Sequence, residues 1–253
     1  MKKKNYYLLL TGTIDATIFN NTDNVITDTN VRLEQYMSSI ERYIKESVFT
    51  HIIFAENSGY PFDEKRIYEL ADQYGKHFEL LKCKSWINET IQYGKSFGEI
   101  KLMNEALAQS TLLKQTDYFY KATGRIYLVN SSRVVSSSNK YDANFLCIDS
   151  DHWIYTHCFK MSTTVYKQYF SIADKLLIKN RLDIEHTYYQ ILKELPDSKL
   201  KIGSFSVWPH FIGQVGGTGG QYGGSFKGQI YHTLLCRIGA YKFQSLLKKL
   251  AHF

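Results

Sequence analysis

The residues best able to do chemistry in this chain are few and widely separated. Asp149 and Asp151 flank Ser150 directly after an apolar stretch at 144–148, and two carboxylates so spaced offer the hard oxygen ligands that Mn2+ or Mg2+ prefers. Lys121, Thr123, Gly124 and Arg125 follow the aromatic run Tyr118, Phe119, Tyr120. That places two cations and a glycine where a buried strand ends, an arrangement suited to an anionic ligand, since a guanidinium pairs two oxygens at once. Lys95 adds a further cation between Gly94 and Gly98. Glu185 stands beside Asp183 and His186, and a carboxylate at a pocket mouth is the usual general base for deprotonating a hydroxyl. Asp149 and Glu185 are therefore the candidate bases, and Arg125 the candidate for stabilising developing negative charge.

Each of these has an ordinary reading beside the chemical one. A three-residue acidic pattern recurs by chance, and Arg125 could form a structural ion pair with a nearby carboxylate. Glu99 sits where the helix dipole favours an acid, and His157, among aromatics, reads as a hydrogen-bonded core residue.

The elements that must position these groups follow from periodicity. Short apolar runs at 6–10, 51–55 and 78–81 read as buried strands, separated by amphipathic helices at 31–44 and 63–74. Alternation of this kind predicts a mainly parallel sheet with right-handed crossovers, whose ligands gather at the carboxyl edge. At that edge the first strand ends in Thr11, Gly12 and Asp15, and the second in Glu56 and Asn57. These are candidate donor-site residues, with helix capping as the alternative for Thr11 and Asp15. Residues 92–130 read as a loop carrying Gly94, Lys95 and Gly98, a helix, and an aromatic strand stopping at Lys121. The serine-rich segment 131–139 reads as flexible, 144–148 and 153–161 as strands, and 163–179 and 183–195 as helices. Eight of the sixteen residues at 213–228 are glycine; Gly217, Thr218, Gly219 and Tyr222 are candidates for a lid or acceptor loop, against a loosely packed loop. The segment lacks the strand and helix of a Walker-type phosphate loop, which argues against triphosphate hydrolysis.

The GKSFGE loop, the LMNEAL helix and the strand ending in KATGRIYLVN, with weaker matches at TGTIDATIFN and AENSGYPFD, resemble a group of bacterial glycosyltransferases that build capsule, lipopolysaccharide and other surface polysaccharide. The resemblance spans about the first two thirds of the chain. It implies an α/β fold of the GT-A-like Rossmann type, with a nucleotide-sugar-binding domain at 1–205 and a glycine-rich loop plus C-terminal amphipathic helix at 206–253. It implies a nucleotide-sugar donor, a glycan or lipid-linked glycan acceptor, and transfer of a hexosyl-type sugar. In that family an acidic pair on a strand end holds a divalent ion against the donor's diphosphate. Chain order places Asp149 and Asp151 one strand too late for that duty, so the expectation is a diphosphate held by Lys95, Lys121 or Arg125 with no required cofactor. The alternatives are a metal-dependent glycosyl- or nucleotidyltransferase using Asp149 and Asp151, and a non-catalytic polysaccharide- or nucleic-acid-binding protein.

With 253 residues, 44% of them hydrophobic, the chain can bury a substantial core. Its formal charge of +7 favours anionic partners without choosing among them; the cations are scattered and no nucleic-acid-binding motif is present, so nucleic acid is not an expected partner. Cys83, Cys147, Cys158 and Cys236 form no CxxC pair, which argues against a structural zinc or a disulfide scaffold and for a reducing, cytoplasmic setting. The apolar part of the MKKKNYYLLL start is too short for a signal peptide, and no run approaches the length of a membrane span. The basic, amphipathic tail at 231–253 fits either an anionic membrane surface, giving peripheral attachment, or a cap on the core.

Overall fold

Leu8, Leu9 and Leu10 are wholly buried yet split between two faces, and that split sets the architecture. In the computed structural model, which describes residues 4–20, 26–138, 141–148, 152–195, 200–215 and 219–238, they lie on the central strand β1 (Tyr7–Gly12). Leu8 and Leu10 pack with Tyr36, Ile40 and Tyr43. Leu9 faces the opposite layer with Ile100, Met103 and Leu107. A strand covered on both faces needs a near-continuous apolar run, which is what residues 7–10 supply.

The sheet has seven strands. In chain order they are β1, β2 (His51–Glu56), β3 (His77–Lys82) and β4 (Tyr118–Thr123), then, past the short β5 (Tyr127–Leu128), β6 (Ala143–Phe145). Past the hairpin of β7 (Cys147–Ile148) and β8 (Trp153–Ile154) come β9 (Cys158–Ser162) and β10 (Ile202–Ser204). Their spatial order is β10-β6-β9-β4-β1-β2-β3. Neighbours are parallel except at β9, which runs antiparallel between β4 and β6. One layer of helices contains α1 (Thr29–Glu46) and α2 (Glu64–Gln73); α3 (Ile87–Tyr93) and α4 (Lys95–Gln109) follow β3, and α5 (Ser131–Ser138) follows β5. Further on, α6 (Thr163–Val165) runs into a π-helical turn at Tyr166–Phe170, succeeded by α7 (Ala173–Asn180) and α8 (Ile184–Glu194). The chain is thus mixed α/β, with a mainly parallel central sheet flanked by helices.

Local expectations fail at five places, the first being the strand read at 153–161, which is two strands, β8 and β9, in different sheets. The GKSFGE segment is no loop: Gly94 at φ +88° ends α3, and Lys95 opens α4 at once. The serine-rich segment is helical because Val134 and Val135 anchor it in the core while the Ser136 and Ser137 hydroxyls bond back to helix carbonyls. Lys121 lies inside β4 rather than past its end. The helix expected at 163–179 is interrupted by the π turn, where Tyr166 and Phe170 both turn into the core.

β11 (Phe211–Gln214) and β12 (Gln221–Tyr222) form an antiparallel hairpin, which pairs through β11 with β5. The glycine-rich segment is therefore partly a small sheet. Behind it, α9 (Phe226–Arg237) starts from a Ser225 cap whose hydroxyl accepts from Gly228 N. Residues 239–253, which hold most of the expected amphipathic tail, lie outside the described residues.

Candidate active site

The carboxyl ends of β1 and β4 meet side by side, with Thr11 opposite Thr123, and the crevice they begin is a cavity of about 910 Å³. That volume suits a small-molecule ligand. Thr11, Gly12, Thr123 and Arg125 come from the sheet edge, Arg32 and Tyr36 from α1, and Lys95 and Glu99 from α4. Thr156 and His157, just before β9, reach the same edge because β9 runs the opposite way to β4. Glu185 comes from α8, Gln214 and Tyr222 from the hairpin, and Trp153, Tyr155, Trp208 and His232 add aromatic and imidazole surface.

Backbone contact at this edge is close. A Cβ on Gly12 would stand 2.6 Å from the rings of Phe54 and Tyr36, and one on Gly124 would stand 2.9 Å from the Thr11 carbonyl oxygen. Gly124 donates its N–H to that same oxygen at 2.8 Å. Its role is close packing of two strand ends, and it does not line the cavity.

One face of α1 carries Arg32, Gln35, Tyr36, Ser39 and Tyr43 at helical spacing, and of these Arg32 and Tyr36 line the cavity. The Tyr36 hydroxyl accepts from Thr13 N at 2.9 Å. Ser39 and Tyr43 donate to the Ile126 carbonyl at 3.0 and 3.1 Å, and Tyr43 accepts from Leu128 N at 3.0 Å. Arg32 is buried, with Nε on the Thr13 and Ile14 carbonyls and Nη1 on that of Ile26. One polar face thus fixes both loops that follow β1 and β4. The sequence pattern reads this face as plain core and misses Arg32; an arginine one turn into a helix whose other charges point to solvent was the available signal.

Arg125 is 8% exposed, and Nη1 donates to the neutral Gln35 Oε1 at 2.8 Å. The expected structural ion pair is absent: among the described residues no carboxylate lies within ion-pair distance of Arg125 or Arg32. Burial holds Arg32 below its ordinary value, and the charge of Arg125 pulls the same way. Two guanidinium groups near enough to repel, facing one cavity, with Asp15 acting on Arg32 only from beyond ion-pair distance, make a local field for anions.

Lys121 is different. Its ammonium pairs with Glu99 and donates to the Thr156 carbonyl at 2.9 Å, so its charge is already met within the protein. Burial alone pushes the Glu99 carboxyl up, but Lys121 outweighs it and the group sits below its ordinary value. Thr11 donates its hydroxyl to the same carboxylate at 3.2 Å. Lys95 is exposed at the start of α4, on the cavity wall.

Glu185 has no cationic partner of this kind among the described residues. Its Oε1 accepts from the Thr156 hydroxyl at 2.7 Å, and burial pushes its carboxyl up, only partly countered by that hydrogen bond. A carboxyl group raised by burial in a cavity is a candidate for proton transfer. His157 goes the other way: burial and then the nearby Lys121 pull it down to about 4, leaving a neutral imidazole.

Two more of the expected donor-site residues have other duties. Asp15 caps the short helix at Ala16–Phe19, accepting from Thr17 N at 3.0 Å, and does not line the cavity. Glu56 is buried, with Oε1 on Ile14 N at 3.0 Å and Oε2 on Gly59 N at 2.7 Å, and it too is absent from the wall. It ties the loops after β1 and β2 together. Its neighbour Asn57 does line the cavity and accepts from the Thr13 hydroxyl at 2.6 Å. In the hairpin, Gly219 holds φ +71° in the turn and Tyr222 lines the cavity. Asp149, Asp151, Gly217 and Thr218 lie outside the described residues. Among the described residues no group of three or more His, Cys, Asp or Glu side chains could hold a metal ion, and no helix is long and apolar enough to cross a membrane.

No protein family's sequence profile and no curated protein sequence matches the chain. Solved structures that resemble it include a putative glucose-1-phosphate thymidylyltransferase from Bacillus anthracis in complex with sucrose, at 13% identity and TM-score 0.47, covering 92% of this chain and 95% of that one. An active-site mutant of LgtC gives 7% identity and TM-score 0.49, covering 79% and 73%. A putative nucleotide-diphospho-sugar transferase from Desulfovibrio desulfuricans gives 10% identity and TM-score 0.44, covering 79% and 78%. Identity this low is compatible with a shared sheet and unrelated chemistry.

Proposed function

We propose that this chain is a transferase that binds a nucleotide-sugar and moves its sugar to a glycan acceptor. The observation that carries the reading is Arg125, nine-tenths buried, turned to a cavity at the carboxyl edge of the sheet beside Arg32, and partnered by a neutral amide. Arg125 lines the cavity and, among the described residues, its side chain is held by one neutral acceptor, so its charge is available to an anion, and a diphosphate is an anion of the right charge and shape. The sugar half of the reading rests on the resemblance of residues 92–130 to surface-polysaccharide glycosyltransferases.

In this reading Arg125 and Arg32, with Lys95 at the rim, stabilise the leaving diphosphate as the glycosidic bond breaks. Glu185 takes the proton from the acceptor hydroxyl as its oxygen attacks the anomeric carbon, assisted by the Thr156 hydroxyl that sets its basicity. Lys121 and Glu99 hold the strand end in place rather than touch the donor. No step here is routed through a metal; Asp149 and Asp151, which lie outside the described residues, belong to the alternative, a metal-dependent glycosyl- or nucleotidyltransferase.

Thermal unfolding against a panel of nucleotides and nucleotide-sugars, with Mn2+ or Mg2+ and again with chelator, tests the reading. A ligand at about 100 times its dissociation constant adds roughly 2.7 kcal/mol, a shift of several degrees for a domain of this size. A shift with one nucleotide family that survives chelator and is lost in Arg125→Ala supports it. Strict metal dependence favours the alternative, and no shift with any nucleotide rejects both.

A further inference from the structure

The amide of Gln35 makes hydrogen bonds in two directions. Its oxygen accepts from Arg125 Nη1 at 2.8 Å, and its nitrogen donates to Gln214 Oε1 on β11 at 3.1 Å. Gln214 in turn donates Nε2 to the Gly219 carbonyl at 2.9 Å, and Val215 N donates to the Gly220 carbonyl across the same hairpin at 2.7 Å. An arginine can only donate, so it fixes which end of the Gln35 amide faces it. That choice leaves the Gln35 nitrogen pointing at Gln214, whose oxygen must then accept and whose nitrogen must look to Gly219. The polarity of the whole chain, Arg125 to Gln35 to Gln214 to Gly219, is set at the guanidinium.

Gln35 also keeps the guanidinium placed without neutralising it. A carboxylate at the same position would satisfy Arg125 internally and remove the field that an anion needs, while confronting the Gln214 oxygen with a second acceptor. The half-buried amide avoids both.

We infer that Gln35 is a positioning residue which couples anion binding at Arg125 to the placement of the β11–β12 hairpin. The inference rests on the reading of Arg125 as the anion site and adds to it the way occupancy is transmitted to the neighbouring hairpin. An anion that draws Arg125 into the cavity reorients the Gln35 amide, and the hairpin residues bonded to that amide follow.

The test uses inorganic pyrophosphate as the probe, with binding measured by calorimetry and amide hydrogen exchange followed at the described hairpin residues 211–215 and 219–222. Wild-type protein is expected to bind pyrophosphate and to slow exchange in β11 and β12. Gln35→Leu is expected to bind roughly 5- to 150-fold more weakly, the range of ordinary coupling between sites, and to lose the added hairpin protection at saturating pyrophosphate. Gln214→Leu, which cuts the chain from its other end and leaves Arg125 with its own partner, is expected to lose the protection as well. Gln35→Glu is expected to abolish binding. If wild type binds and the hairpin does not respond, or responds equally in Gln35→Leu and Gln214→Leu, the coupling is wrong while the anion site stands. If wild type does not bind pyrophosphate, the anion site and the coupling both fall.

Discussion

The Lys121 ammonium and the Glu99 carboxylate form an ion pair between the middle of β4 and the first turns of α4. Lys121 is 1% exposed, so it cannot recover water if its partner is lost. Glu99→Leu therefore leaves a buried charge with only the Thr156 carbonyl as acceptor, and breaking such a pair costs about 3–5 kcal/mol. The urea midpoint should fall accordingly. A loss below about 1 kcal/mol would show that the pair contributes no more than an exposed one.

Gly12 is set by packing. A methyl group there meets the Phe54 and Tyr36 rings at 2.6 Å, and both are core side chains with little room to yield. Gly12→Ala should destabilise by roughly 1–3 kcal/mol, the usual cost of overpacking. It should also displace Tyr36, whose hydroxyl holds Thr13 N, and so weaken ligand binding beyond what stability predicts. A variant of wild-type stability and affinity would contradict the close contact.

Two histidines give the fold a mild acid sensitivity. Burial pulls His51 down to about 4, with neighbouring His77 adding to the effect, and burial with Lys121 does the same for His157. In the unfolded chain both titrate near an ordinary value of about 6.5. Between about 6.5 and about 4 the unfolded state binds more protons, so stability present above that window is lost as pH falls through it. Denaturant midpoints measured across the window should decline, and more gently in His51→Gln. A midpoint flat down to pH about 4 would be incompatible with buried neutral imidazoles.

The sheet and its layers were readable from periodicity because β1 and β2 are buried on both faces, which forces the apolar runs that announce them. The antiparallel β9 was not, since a buried strand reads alike in either direction. Gly94 and Gly98 misled locally: Gly94 breaks one helix from the next, and Gly98, buried against Thr90, lets α3 and α4 approach. At the cavity, Asn57, Arg125 and Glu185 could be placed because each follows a strand end or opens a helix, whereas Thr11, read as following the first strand, lies inside β1. Asp15 and Glu56 share those positions, and only the hydrogen bonds reveal that one caps a helix and the other binds two loops. Arg32 and Gln35 were hidden by their spacing, for a helix face that packs on a sheet and one that grips two loops carry the same periodicity.

Glu185 gives the last prediction. Its carboxyl is raised by burial and held partly in check by the Thr156 hydroxyl. As general base it must be ionised, so activity should rise with pH through a limb lying above the ordinary glutamate range. Thr156→Val removes a donor that favours the charged form, and the limb should move to higher pH while the rate on its plateau changes less. Glu185→Gln should lower kcat by roughly 10²–10⁴ and erase the limb. A rate profile measured on wild type and both variants separates the roles. If Thr156→Val leaves the limb in place, the titrating group is elsewhere in the cavity; if Glu185→Gln retains full kcat, this carboxylate does not move the proton.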